Sequence, residues 1–418
     1  MGGSSPPPAP AAPSFARALG HRPFLLLWSS QLISQSGDFV FEVALLWLVL
    51  QQTGSAFYVG VVVAATLVPV VVLGPFLGVY VDRWPRRTIL ILTNGLEAVL
   101  VAGLSGLILA HAANIGGIVA IVVALATGGQ VVRITSTAIV PQTVRTEDLA
   151  PANSLLSFSS SFNQVVGLSI GGVVVALFGV TIPIEYDALT FAAAAVILGF
   201  MSRTVGAPAP STPGVASGFA AEFAEGFRYV AGQRYLVEII VLASVINFFG
   251  NAVAALFAPY ADYVLHGGST AYGFLGAAVA GGAIVGAVVI GKVNTRGSAG
   301  KYLLGGTGAA GAVILAVGLT RSTSLALGEM VALGAMLSVT NIPIFVLLQA
   351  KVPGRLMGRV LGVLMAMVLA AAPLGAFFAG TFAEATSVGF VYVVAGAVLL
   401  ATVAVGAVVM RELRTVTY

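Results

Sequence analysis

Four polar residues stand on an apolar run near the start of the chain, Gln31, Gln35, Asp38 and Glu42. Their offsets of 4, 3 and 4 put them on one face of a helix. Glu97 lies within another apolar run, and Gln130, Arg133 and Thr137 share a face of a third. Desolvation favours the neutral form of a carboxylate, so one held in an apolar medium can take up and release protons at neutral pH. Asp38 is the first candidate for that chemistry, followed by Glu42 and Glu97. Arg133 can compete with a proton or a bound molecule for these carboxylates. The stripe should line a central cavity; the alternative is a hydrogen-bond network that only ties helices together, and Glu97 can instead pair with a polar neighbour. Asn163, Gln164, Asn247, Asn251 and Asn341 can hydrogen-bond either a substrate or an adjacent helix. Glu238, Asp262, Glu329 and Glu384 lie nearer the ends of their runs and read as interfacial, whereas Asp187 is open between the two. Met365, Met367 and the many Phe either form an adaptable apolar wall or simply pack.

The elements that position these residues follow from composition. Of 418 residues 58% are hydrophobic and 8% charged, against roughly 25% charged in soluble domains. Such a chain cannot hide its apolar surface in one water-soluble core, so lipid must be its outer solvent. No cysteine is present, which excludes disulfides and thiol chemistry. His21, His111 and His266 have no ligand spacing, and no nucleophile with a base or phosphate loop with a lysine is found. The expectation is therefore no metal, no cofactor and no enzyme.

A helix needs about 20 apolar residues to cross the hydrocarbon. Runs of that kind cover 24–50, 56–80, 88–110, 116–140, 152–179, 184–202, 235–263, 270–291, 302–320, 324–348, 357–383 and 388–410. With the N-terminus in the cytoplasm, 17 of the 19 basic residues fall on cytoplasmic segments; Arg321 is outside and Arg133 lies within a span. The positive-inside rule thus supports twelve spans with both ends cytoplasmic, and it places the net charge of +4 at the membrane face rather than on nucleic acid.

The expected organisation is a disordered segment 1–23, a six-helix half 24–202, a cytoplasmic linker 203–234, a second half 235–410 and a tail 411–418. The first fourteen residues are rich in Gly, Ser, Pro and Ala and show no cleavable signal. Within the linker, Phe219 to Tyr229 reads as an amphipathic interfacial helix with Phe219, Phe223, Phe227 and Val230 on one side. The halves echo one another: Gly54-Ser55 opens span two as Gly268-Ser269 opens span eight. Val144, Gly167 and Gly172 recur at an offset of 208 as Val352, Gly375 and Gly380. Internal repeats of this kind suit transporters that alternate access around a midplane site.

Between spans two and three stands Gly78-Val79-Tyr80-Val81-Asp82-Arg83-Trp84-Pro85-Arg86-Arg87. It reads either as a positive-inside loop or as an ionic latch of one carboxylate among arginines. The string resembles the signature loop of the major facilitator superfamily, G-x-x-x-D-R-x-x-R-R. The resemblance implies that Gly78, Asp82, Arg83, Arg86 and Arg87 help to hold the cytoplasmic side closed. The second-half counterpart, Gly291 to Arg296, lacks the Asp, which puts a symmetric second latch in doubt. Gly167-Leu168-Ser169-Ile170-Gly171-Gly172 is similar to the G-P-x-x-G-G antiporter motif of drug-exporting facilitators, with Leu168 in place of the proline; Gly-rich packing is the other reading. Arg133 resembles in placement the span-four arginine of proton-coupled facilitators. Gln31 to Asp38 and Val352 to Val360 look like the macrolide-efflux and enterobactin-exporter branch.

The resemblance implies an all-α membrane protein, twelve transmembrane helices in two six-helix pseudo-repeats, acting as a monomer in the inner membrane. The expected function is alternating-access export of small amphipathic compounds (drug, macrolide or siderophore-like) by proton antiport. Its partners would be the small-molecule substrate, protons and membrane lipid. An importer or uniporter of metabolites, and a non-coupled membrane scaffold or scramblase, remain the rivals.

Overall fold

The computed structural model describes residues 14–202, 205–206, 219–293, 299–410 and 412. The side chains of Pro75, Gly78, Val79, Tyr80, Asp82, Phe219, Ala220 and Glu222 lie outside that description. An apolar segment in lipid must satisfy its own backbone, so these runs form helices. The N-terminal half holds α1 (Phe15–Gly20), α2 (Arg22–Thr53), α3 (Ala56–Arg83), α4 (Arg86–Leu109), α5 (Ile115–Ile139), α6 (Leu149–Phe178) and α7 (Thr181–Gly199). The linker helix is α8 (Phe219–Ala231). The second half runs through α9 (Arg234–Ala255), α10 (Phe257–Pro259), α11 (Gly268–Gly291), α12 (Ala299–Leu319), α13 (Thr323–Lys351), α14 (Gly354–Ala385) and α15 (Val388–Val409). Twelve described helices, α2 to α7, α9 and α11 to α15, are long and apolar enough to cross a membrane.

Short turns fix the up-and-down order. Gly54 ends α2 at φ +59°, and Gly268 opens α11 at φ +63°. Both are left-handed positions that suit glycine, so the repeated Gly-Ser pair marks the same backbone event in each half. Asn114 caps α5 by accepting from Gly117 N at 2.9 Å, and Ser387 caps α15 by accepting from Phe390 N at 3.2 Å.

Three expectations need correction or refinement. Disorder was expected to residue 23, but Phe15–Gly20 is helical. Arg17 and His21 hold Asp148 at 3.2 and 3.1 Å, which ties α1 to the start of α6. The seventh span is not one helix over 235–263. Pro259 has no N–H to donate to Ala255, so α9 ends there, and a wide turn, Tyr260–Val264, follows α10. Tyr260 braces this broken end, donating to Val317 O at 2.8 Å and Thr320 O at 3.1 Å, while Tyr392 donates to Val253 O at 2.9 Å. Finally, α8 is docked rather than isolated on the surface. Arg359 of α14 meets Glu225 at 2.5 Å, and Gly226 lies so close that an added Cβ would stand 2.7 Å from Arg359 O. The tail residue 411 and residues 413–418 lie outside the described residues.

The halves meet along two seams, α3 with α14 and α6 with α11. A Cβ built on Gly60 falls 3.0 Å from the Gly380 Cα, and one on Gly172 falls 3.1 Å from the Gly273 Cα. Only glycine permits that approach. Ser269 adds a hydrogen bond to Gly172 O at 3.1 Å. On the other seam Glu384 accepts from Ser55 Oγ at 2.9 Å and Phe57 N at 3.5 Å, at the start of α3. All these contacts lie at the ends remote from the termini. Glycine contacts thus close the two halves on one another at the remote end.

Candidate functional site

Two cavities lie inside the bundle. The first, about 460 Å³, sits within the N-terminal half. From α2 it takes Gln31, Gln35 and Asp38; α4 gives Asn94 and Glu97, α5 gives Gln130 and Arg133, and α7 gives Asp187. Its amides are interlocked: Gln31 Nε2 donates to Ser136 Oγ, and Gln35 Nε2 donates to Gln31 Oε1 at 3.2 Å. Arg133 is exposed to the cavity and donates from Nε to Gln130 Oε1 at 2.9 Å. Glu97 is 2% exposed with Oε2 unpartnered, and Gln35 Oε1 and Asp187 Oδ2 are likewise buried without a partner.

The second cavity, about 530 Å³, lies between the halves. Its polar lining includes Glu42 from α2, Thr66 from α3, Gln164 from α6, Asn247 and Asn251 from α9, Tyr272 from α11, Thr307 from α12, and Thr340 and Asn341 from α13. Leu168, Phe257 and Leu337 stand among the apolar residues around them. Three amides anchor their own NH₂ groups one turn back: Asn247 to Ala243 O at 3.1 Å, Asn251 to Asn247 O at 2.8 Å and Asn341 to Leu337 O at 3.0 Å. Glu42 and Gln164 are exposed to the cavity. This lining of amides, one carboxylate and adaptable apolar walls suits an amphipathic small molecule.

The stripe on α2 therefore does not open into one central cavity. Its four residues share an azimuth, but Gln31 to Glu42 spans ~16 Å of helix at 1.5 Å per residue. Gln31, Gln35 and Asp38 line the first cavity and Glu42 the second, while Thr66 of α3 lines both. Asn163 reaches neither cavity. It is buried, and its Nδ2 donates to Leu32 O at 2.8 Å, riveting α6 to α2.

Of the antiporter-like glycines, Gly167 and Gly171 pack within the half, against Phe39 and Val40 of α2, while Gly172 packs across the seam on α11. Gly78 is helical with its surroundings undescribed, and the carboxylate of Asp82 lies outside the described residues. Two of the basic residues beside it bond to helix ends of their own half. Arg86 donates to Ala138 O at 3.2 Å, near the end of α5, and Arg87 donates to Gly199 O at 2.6 Å, at the end of α7. Positive charge at a helix C-terminus is favourable, so these two cap neighbouring helices. Arg83 is exposed.

Asn94, Tyr272 and the hydroxyls of Thr66 and Thr340 were not singled out as site residues from sequence, and Asp187 was left open. The available signal for Asp187 was a carboxylate near the start of span six with no basic residue in its span or the adjoining short turn.

A two-cavity, two-half bundle of twelve spanning helices is the architecture of a secondary transporter of the major facilitator type. The chain belongs to the transmembrane secretion effector family of that superfamily, whose family model matches residues 13–416. It is 25% identical over 401 residues to the "Multidrug efflux pump Tap" of Mycobacterium tuberculosis, covering 93% of this chain and 92% of the relative. It is also 25% identical over 392 residues to the "Uncharacterized MFS-type transporter YfiS" of Bacillus subtilis, covering 90% of each. Among solved structures, the nucleoside transporter NupG superposes with a TM-score of 0.75 at 11% identity, covering 93% of this chain and 99% of that one. That likeness is one of fold alone. The chain is a membrane transporter of small molecules and not an enzyme.

Proposed function

We propose that this protein exports small amphipathic compounds by alternating access, driven by proton antiport across a bacterial inner membrane, with both termini in the cytoplasm and the monomer as the working unit. The central cavity takes the substrate, and the N-terminal cavity takes the proton. The observation that carries this reading is the separation of Asp38 and Glu97 from the amide-lined chamber. Coupling needs two sites that sense one another, and α2 contributes to both cavities. Glycine seams close the halves on one another on the side remote from the termini, which in an exporter suits loading from the cytoplasm. Rocking about the seams would then expose the same cavity to the far side. The multidrug efflux pump relatives support export and a drug-like substrate.

The test uses everted vesicles with a respiration-generated pH gradient, challenged with macrolides, dyes and siderophore-like compounds. Compound-dependent proton release that Asp38→Asn abolishes is the expected result. If no compound moves protons through folded wild-type protein, antiport of these classes fails.

A further inference from the structure

Asp187 has no part in the roles assigned so far, yet its surroundings are built around it. It is 0% exposed. Thr190 Oγ1 reaches its Oδ1 at 3.3 Å, and Oδ2 has no partner. Gly37 of α2 abuts it so closely that an added Cβ would run into Asp187 Oδ1 and Thr190 Oγ1. Gly128 makes the same allowance for Glu97, with Oε1 2.5 Å from where a Cβ would stand. Two glycines thus keep space open beside two carboxyl groups.

The charged groups that share the cavity with Asp187 are Asp38 of α2, Glu97 of α4 and Arg133 of α5. The charges of Asp38 and Glu97 both bear on Asp187. The third helix against α7, α6, has no titratable side chain between Leu149 and Phe178. Fully ionised, the cavity would set three negative charges against one guanidinium. Uncompensated charge at this depth costs several kcal/mol.

The hydrogen-bond inventory has the same bias. Gln31 Nε2, Gln35 Nε2, Asn94 Nδ2 and Arg133 Nε donate to other groups, and the terminal guanidinium nitrogens of Arg133 form no ion pair with a described carboxylate. Oxygens of Gln35, Glu97 and Asp187 remain without donors. A proton on a carboxyl oxygen removes one charge and turns one acceptor into a donor, so it relieves both deficits at once.

We propose that Asp187 is a third proton carrier of the N-terminal cavity, holding a proton at its deep end and exchanging it with Asp38. In the exchange the O–H bond of the Asp187 carboxyl breaks, a new one forms on the Asp38 carboxylate, and the negative charge moves the other way. This inference rests on the reading of that cavity as the proton site.

The experiment is an infrared difference titration of the full-length protein in lipid, following the carbonyl stretch of protonated carboxyl groups between acid and alkaline pH. No substrate is needed. Asp187→Asn should remove one titrating carbonyl band and displace the band assigned to Asp38 by Asp38→Asn. Gly37→Ala, which keeps every carboxyl group, should move the Asp187 band without deleting it, and it serves if Asp187→Asn does not fold. Titrating bands unchanged by Asp187→Asn, or by Gly37→Ala where that variant stands in, would overturn the proposal. Failure of compound-driven proton release in wild-type vesicles would instead remove the antiport reading, while the infrared titration still decides the protonation of Asp187.

Discussion

Asp38, Phe39 and Glu42 of α2 are matched by Asn247, Phe248 and Asn251 of α9 at a constant offset of 209. The packing around the two aromatic residues is alike. Gly167 of α6 lies against Phe39, and Gly375 of α14 lies against Phe248. The polar residues beside them are near-isosteric and differ in charge. In α2 they are carboxylates that can gain and lose a proton. In α9 they are amides that bond one turn back and present carbonyl oxygens to the central cavity. Glu97, Arg133 and Asp187 add further charge to the first half only. The repeated scaffold has kept its glycine contacts and divided its polar groups, carboxylates on one side and neutral amides on the other.

The largest expected effect comes from erasing that difference. Asp38→Asn makes α2 resemble α9 and should lower substrate-driven proton release by about 100-fold or more, the range lost when a positioned proton carrier is removed. The assay is gradient dissipation in everted vesicles. Where packing is shared, the two halves should respond alike. Gly167→Val and Gly375→Val each force a side chain into a filled contact and should cost about 1–3 kcal/mol, read as similar falls in thermal unfolding midpoint. A much larger fall for one of them would break the symmetry.

Glu42 tests the boundary between the cavities. Its carboxylate faces the amide-lined chamber, so Glu42→Gln should weaken binding of amine-bearing compounds by roughly tenfold, within the 1.5–3 kcal/mol typical of charged hydrogen bonds. Neutral compounds should be little affected, and competition binding separates the cases. The smallest effect is expected at the seam. Ser269→Ala removes one bond to Gly172 O, worth about 1 kcal/mol, and should modestly raise labelling of a cysteine placed at the remote end of α11.

The spans were legible because twelve long apolar runs and the distribution of arginines constrain one another, while the break at Pro259 and the helix at Phe15–Gly20 departed from expectation. The repeat was legible in Gly54, Gly268, Gly172 and Gly380, since backbone conformation and close approach both demand glycine. The partition of the site was not. Helical spacing gives the azimuth of Gln31, Gln35, Asp38 and Glu42, but it cannot show that Asp38 and Glu42 line different cavities. Nor can spacing within α7 reveal that Asp187 faces Asp38 and Glu97, because that contact is made between helices. Asn163 looked like Gln164 in sequence, and only the packing of α6 on α2 turns one inward as a rivet and the other toward the cavity.

The central claim is that protons and substrate occupy different cavities. Its most direct test measures substrate counterflow and substrate-driven proton release in the same vesicles for Asp38→Asn and Asn247→Ala. The account predicts that Asp38→Asn keeps counterflow and loses proton release, whereas Asn247→Ala weakens both by raising the substrate concentration they require. Proton release surviving in Asp38→Asn, or counterflow vanishing there in a folded protein, would contradict it.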